Sequence, residues 1–210
     1  MERPQDPLSY ERGCWGRGAS RVAGVDEVGR GPLAGPVLAC AVVLPVGVHI
    51  EGATDSKRLT RPRREVLARE ILDRAEAVAL GAASVREIDA LNILSATRLA
   101  MRRALVGLRV APDQVVVDGL PVKGLGWRHE AIVGGDLRVH SIACASIVAK
   151  VARDGLMRRL ARRYPVYGWD SNVGYGSRAH LDALARHGPT PHHRRTFLGS
   201  QLELGLGSPG

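Results

Sequence analysis

The chain has 210 residues, of which 45% are hydrophobic, 24% charged and only 4% aromatic, so it can bury one domain core but must build it from Val, Leu, Ala and Ile. Lys and Arg total 30 against 21 Asp and Glu, a formal charge of +9, which points to a polyanionic partner. No uninterrupted apolar run approaches the ~20 residues of a membrane-spanning helix, and the start has no signal-peptide pattern. Cys14, Cys40 and Cys144 are odd in number and widely spaced, which argues against a disulfide framework or a Cys zinc site and for a cytoplasmic location.

Residues 1–20 carry no periodicity and read as a flexible N-terminal extension; 199–210 read as a flexible tail, leaving 21–198 as the folded domain. RVAGVDEV and PVLACAVVLP predict two strands joined through GRGPLAG, a hairpin. Arg61 to Ala75 predicts an amphipathic helix with Val66, Leu67, Ile71 and Leu72 on its apolar face. Residues 77–84 suit a third strand, after which Ser84 and Glu87 form a capping-box pattern ahead of another helical segment. Helical spacing continues from Ile93 to Leu105, with Leu94, Thr97, Leu99, Met101 and Leu105 between basic residues. QVVVDG reads as a short buried parallel strand closed by Asp118, and a second brief strand is expected at 131–133, before the Gly134-Gly135-Asp136 turn. A long helix from about Ser141 to Tyr164, apolar in its first half and basic in its second, is followed by a short helix at 177–187. This order predicts an α/β fold: a mixed sheet flanked by helices, with a small helical C-terminal appendage after about residue 165.

Asp26 and Glu27 are ionisable groups inside an apolar strand, and Asp118 ends a strand of valines. An Asp at a strand end can simply begin a turn. Three such residues instead suggest carboxylates converging on a divalent cation, and hard oxygen donors favour Mg²⁺ or Mn²⁺ over zinc. Two such ions in an acidic pocket on a basic chain are the pattern of a nuclease. Consecutive strand residues point to opposite faces, so Asp26 and Glu27 require a bulge or a strand end near Gly29 to share one pocket. His187, His192 and His193 have no Cys or carboxylate at zinc-like spacing and read as structural or phosphate-contacting groups.

In order, the segments VAGVDEVGRGPLAGPV, DSKRLT, DALNILSATRLAMRRA, VVVDG, SIACASIVAKVARD and YGWDSNVGYGSRAHLDALARHGPTPHHRRTF resemble bacterial ribonuclease HII, the type 2 ribonuclease H, from Val22 to Phe197. The resemblance implies a ribonuclease H-like fold and metal-dependent hydrolysis of the RNA strand of RNA/DNA hybrids. It also implies nicking 5′ of single ribonucleotides embedded in duplex DNA, leaving 5′-phosphate and 3′-hydroxyl ends, as a step in ribonucleotide removal. By the same resemblance Asp26, Glu27, Asp118 and Asp136 are the catalytic, metal-holding carboxylates for two Mn²⁺ or Mg²⁺ ions. Gly29, Arg30 and Gly31 read the ribose 2′-hydroxyl, and Tyr175 stacks on the following sugar. Lys57 and the Ser146 to Lys150 segment contact phosphates, while Asp154 is expected in a structural ion pair with nearby Arg residues. Gly134-Gly135 replaces the family's Lys-Gly before Asp136, and Val173 and Gly176 replace Lys and Pro around Tyr175. A monomer acting on RNA/DNA hybrid and ribonucleotide-containing DNA is expected, with no membrane partner; contact with a sliding clamp stays open. Rival readings are a type 3 ribonuclease H, a junction resolvase, or a catalytically silent RNA/DNA-binding module.

Overall fold

A computed structural model describes residues 6–199. The elements in chain order are α1 (Ser9–Trp15), β1 (Val22–Val28), β2 (Val37–Val43), α2 (Arg61–Arg74), β3 (Ala77–Ala83), α3 (Val85–Leu91), α4 (Ile93–Gly107), β4 (Gln114–Asp118), β5 (His129–Ile132), α5 (His140–Arg163), α6 (Trp169–Asn172) and α7 (Arg178–His187). The five strands form one mixed sheet in the order β3-β2-β1-β4-β5. β1 and β2 are the expected antiparallel hairpin, β3 extends it antiparallel, and β4 and β5 run parallel to β1.

Every residue of β2 is buried, because helices cover both faces of the sheet. Val25, Ala39, Ala41 and Val117 pack with Ala96, Ala100 and Ala104 of α4 on one face. Cys40 and Val42 pack with Leu67, Ile71, Cys144 and Ile147 of α2 and α5 on the other. The approach of α5 to β1 is close: a Cβ on Gly24 would stand 2.2 Å from the Ser141 carbonyl carbon, so only glycine fits beneath that helix. Past the sheet, the second half of α5 joins α6 and α7 in a separate apolar cluster of Met157, Ala161, Tyr167, Trp169 and Leu184, which closes on Leu33 and Ala34 of the hairpin connection. This is the expected C-terminal appendage.

Three expectations are corrected. Residues 9–15, read as part of a loose extension, form α1, because Glu11 and Cys14 are buried and Glu11 Oε1 accepts from Ser141 N at 2.8 Å and Ser141 Oγ at 2.9 Å. That carboxylate supplies an acceptor to the first turn of α5, whose own N-cap Val139 offers none. On α2 the buried stripe is Leu67, Ala68 and Ile71, while Val66 and Leu72 are exposed. On α4, Thr97, Met101 and Leu105 are buried as expected, but Leu94 is exposed, and Ala96, Ala100 and Ala104 share the contact where the helix comes closest to the sheet; a Cβ on Gly81 would meet Ala100 O at 2.0 Å. The capping box is present as expected, with Ser84 and Glu87 bonding each other's backbone N–H. The expected tail from 200 onward lies outside the described residues, and no helix among those described is long and apolar enough to cross a membrane.

Candidate active site

Strand register places the first two carboxylates. β1 and β4 are paired through Val25 and Val117, so Asp26 and Asp118 are the next residues along two parallel neighbours and point to the same face. That face is the α5 side, since Val25 and Val117 belong to the α4 cluster. β1 pairs regularly with β2 through Val28 and Leu38, so there is no bulge, and Glu27 faces the α4 side. The strand-end alternative applies: β4 stops at Asp118, leaving Glu27 one step beyond its neighbour's end, and Glu27 and Asp118 line one open cavity of about 520 Å³.

Asp136 comes from the 3-10 turn Gly135–Leu137 ahead of α5. That turn is tied to β4, because Gly135 N donates to Asp118 Oδ1 at 2.7 Å, and a side chain at Gly135 would press on Ile142. The Gly-Gly pair before Asp136 therefore has a local reason: Gly134 adopts φ 66 and Gly135 sits against α5.

The electrostatics are those of acids held together without enough counter-charge. Burial pushes the Asp26 carboxyl well above the usual carboxylate range; the Glu27 and Asp118 charges add to this, and the Ser146 hydroxyl opposes it. Burial also raises Glu27, against the Arg30 guanidinium 3.2 Å away. Asp136 is raised by burial first and by Asp118 and Asp55 next, with Lys57 opposing. Among the described residues, no group of three or more His, Cys, Asp or Glu side chains is arranged to hold a metal ion as the side chains stand. Asp26 Oδ1 instead accepts from Glu27 N, and Glu27 leans toward Arg30. Hard oxygen donors gathered in a partly desolvated site, with three of them raised by burial and by one another's charge, are a donor set that fits a divalent cation, whose charge would relieve the repulsion.

The Gly29–Gly31 turn leaves β1 directly beside this pocket. Gly29 has φ 91, and the Tyr175 ring approaches Gly31, with its Cε1 3.6 Å from where a Cβ would stand. Tyr175 is 47% exposed, so its ring is available to a ligand. Lys57 lies on the 3-10 turn Ser56–Arg58, which Asp55 caps.

A family model described as Ribonuclease HII matches residues 23–199. The chain belongs to the ribonuclease HII family. It is 58% identical to a ribonuclease HII of Cereibacter sphaeroides over 198 residues, covering 94% of this chain and 93% of that protein. It is 55% identical to one of Thermosynechococcus vestitus over 202 residues, covering 94% of each. Among solved structures, the ribonuclease H2 of Pyrococcus horikoshii aligns with a TM-score of 0.73 at 28% identity, covering 86% of this chain and 95% of that one. As a ribonuclease H the protein is a hydrolase, and its mixed sheet is the ribonuclease H-like fold expected from the sequence.

Within this ribonuclease HII chain the two expected phosphate contacts on α5 have partners inside the protein. Ser146 is 5% exposed, hydrogen-bonds to Asp26 and is joined to Ser56 Oγ at 3.0 Å, which braces the pocket from beneath. Lys150 bonds Asp154 at 2.9 Å one helical turn away, so Asp154 does form an ion pair, with a lysine rather than an arginine. Arg158, in the basic second half of α5, pairs with Glu65 of α2.

Two residues that sequence reasoning missed are Arg153 and Arg194, both fully buried. Arg153 donates to the carbonyls of Pro36 (3.1 Å), Val173 (2.9 Å) and Ala34 (3.1 Å). Arg194 donates to Arg30 O at 2.7 Å, to Gly29 O and to Gly35 O. Desolvation lowers both guanidinium pKa values, opposed by the Tyr175 and Asp154 charges at Arg153 and by the Asp89 and Tyr175 charges at Arg194. Their role is geometric, each planar fork gathering loop carbonyls that no secondary structure satisfies. In a chain where all but Lys57, Lys123 and Lys150 of the 30 basic residues are arginine, nothing marked these two as different.

Proposed function

We propose that the protein hydrolyses the RNA strand of RNA/DNA hybrids and nicks duplex DNA on the 5′ side of a single embedded ribonucleotide, as a step in ribonucleotide removal. The observation that carries this reading is the register of Asp26 and Asp118 on adjacent parallel strand ends, with Glu27 and Asp136 raised in pKa beside them. Asp26, Glu27, Asp118 and Asp136 would hold two Mg²⁺ or Mn²⁺ ions, which supply an activated water and charge stabilisation at the phosphodiester. The scissile bond is that between phosphorus and the 3′-oxygen of the preceding nucleotide, so the products are a 3′-hydroxyl and a 5′-phosphate on the ribonucleotide. No protein nucleophile is required.

The remaining residues position the strand. The turn Gly29–Gly31, lacking Cβ atoms at both ends, allows backbone to approach a ribose 2′-hydroxyl, the group that separates RNA from DNA. Tyr175, whose ring is exposed, would stack on the sugar that follows. Arg30 and Lys57 place positive charge at the rim, and the +9 net charge draws the duplex in a salt-dependent manner. A monomeric, cytoplasmic enzyme accords with this reading.

The test is a DNA duplex carrying one ribonucleotide, incubated with the protein with and without Mg²⁺ or Mn²⁺. Metal-dependent nicking 5′ of the ribonucleotide is expected. Cleavage confined to long hybrids would overturn the junction reading, and binding without cleavage would favour the silent module.

A further inference from the structure

The appendage buries a chain of hydrogen bonds between ring nitrogens that ends on the substrate-facing tyrosine. Trp169, His180 and His193 are each no more than 1% exposed. Thr190 N donates to His193 Nδ1 at 2.9 Å. His193 Nε2 lies 3.0 Å from His180 Nε2, and Trp169 Nε1 donates to that same His180 Nε2 at 3.1 Å. His180 Nδ1 is 2.8 Å from Tyr175 O.

Only one assignment of protons satisfies every group. A backbone N–H and an indole N–H can only donate, and a carbonyl can only accept. His193 Nδ1 must therefore be bare, which puts its proton on Nε2. His180 Nε2 must accept from both Trp169 and His193, so the His180 proton sits on Nδ1 and is donated to Tyr175 O. Both rings are neutral, consistent with burial lowering both of their pKa values. The chain has one direction, from Thr190 to Tyr175.

The far end is fastened to the other half of the site. His193 forms an isolated bridge with Ala34, His192 O accepts from Gly35 N, and the next residue, Arg194, gathers the Gly29 and Arg30 carbonyls. The tyrosine loop itself is strained: Val173 holds φ 45, a left-handed conformation that a β-branched residue avoids, so outside contacts must impose it. Arg153 holds Val173 O, Leu33 N holds Gly174 O, and His180 holds Tyr175 O.

We propose that His180 and His193 are positioning residues that fix Tyr175 at one separation from the Gly29–Gly31 turn, and that this separation sets the preference for a ribonucleotide followed by DNA over a continuous RNA/DNA hybrid. The inference rests on the reading of Tyr175 as a substrate contact.

Two substitutions at one position separate positioning from packing. His180→Gln keeps an oxygen able to accept from Trp169 and His193 but places no donor at the Nδ1 position. His180→Asn keeps a donor at that position and loses the acceptor. The quantity read is kcat/KM for an embedded single ribonucleotide divided by kcat/KM for a long hybrid, with the melting temperature of each variant. His180→Gln is expected to be the more stable variant yet to lower the ratio about tenfold, while His180→Asn is less stable and keeps the ratio within about twofold. A ratio that follows stability, with His180→Asn the worse, overturns the proposal. If Tyr175→Ala abolishes the preference while His180→Gln retains it, the positioning role fails and the tyrosine reading stands. A normal ratio in Tyr175→Ala overturns both. Should His180 variants not fold, His193→Gln, which keeps the Nε2–H donor, and His193→Leu, which lacks it, pose the same question: the first should keep the ratio and the second lower it, and equal ratios would defeat the idea.

Discussion

At Gly29 two independent constraints meet in a single hydrogen atom. Its φ of 91 lies where L side chains are strained, and a Cβ would stand 2.1 Å from Arg153 Nε. Arg153 cannot yield, because its three nitrogens hold three carbonyls. Gly29→Ala should therefore lower stability by about 2–4 kcal/mol in denaturant titration, combining backbone strain with overpacking. A change under about 0.5 kcal/mol would mean that the turn relaxes freely. Asp118 is the matching residue on the catalytic side. Asp118→Asn retains an oxygen to accept from Gly135 N, so the turn carrying Asp136 should keep its place while a metal-holding charge is lost. Cleavage should fall at least about 10²-fold, as for loss of a preorganised charge group, while duplex binding stays level or tightens because repulsion of phosphate is reduced. Near-normal cleavage would remove Asp118 from the site.

Among the elements, α1 has the least obvious purpose from sequence and a clear one in the fold. Its Glu11 reaches Ser141 N and Oγ in the first turn of α5, the helix that carries Ser146, Lys150 and Arg153. Glu11→Ala should cost about 1–3 kcal/mol, because it strands buried donors at a helix start, and Glu11→Gln should cost less because an acceptor oxygen remains. Thermal unfolding of the two variants checks the order; equal losses would show that α1 merely covers apolar surface. Neither helix nor contact could be read from residues 1–20, since the burial of Glu11 is created by a partner 130 positions away. The strands were legible for the opposite reason. Valine-rich runs such as 115–117 favour a buried strand locally, and that in turn made Asp26, Glu27 and Asp118 conspicuous. The helical faces are legible only in part: Val66 and Leu72 on α2 and Leu94 on α4 are large and apolar yet exposed, while Ala68, Ala96, Ala100 and Ala104 are buried because close packing, as onto Gly81, rewards the small side chain. Arg153 and Arg194 were hidden by composition, because an arginine buried among carbonyls and one facing water look alike in a basic sequence.

For the whole molecule, buried acids and buried histidines pull stability in opposite directions with pH, and a divalent cation should separate them. Glu11, Asp26, Glu27 and Asp136 are all raised, primarily by burial. Their contribution is complete at low pH and is lost as pH rises from the ordinary carboxylate range through their folded values. His140 and His193 are pushed down to about 4 and His180 is also lowered, again by burial first. Their contribution is complete above pH 6.5 and is lost as pH falls toward 4, because the unfolded chain takes up protons that the folded one refuses. Without cation the two slopes oppose each other wherever the carboxylate window overlaps the histidine window, which flattens the profile there. Saturating Mg²⁺ or Mn²⁺ should relieve the repulsion among Asp26, Glu27, Asp118 and Asp136 at neutral pH, adding about 2.7 kcal/mol at a hundredfold excess over Kd. The gain should fade toward pH 4.5 as protons compete for the same oxygens. The histidine slope then stands exposed, steepening acid destabilisation by up to about 1.4 kcal/mol per pH unit for each proton taken up. Melting temperatures from pH 4.5 to 8, with cation and with a chelator, test this directly. A cation effect of equal size at both ends of that range would show that the ion binds somewhere other than these four carboxylates.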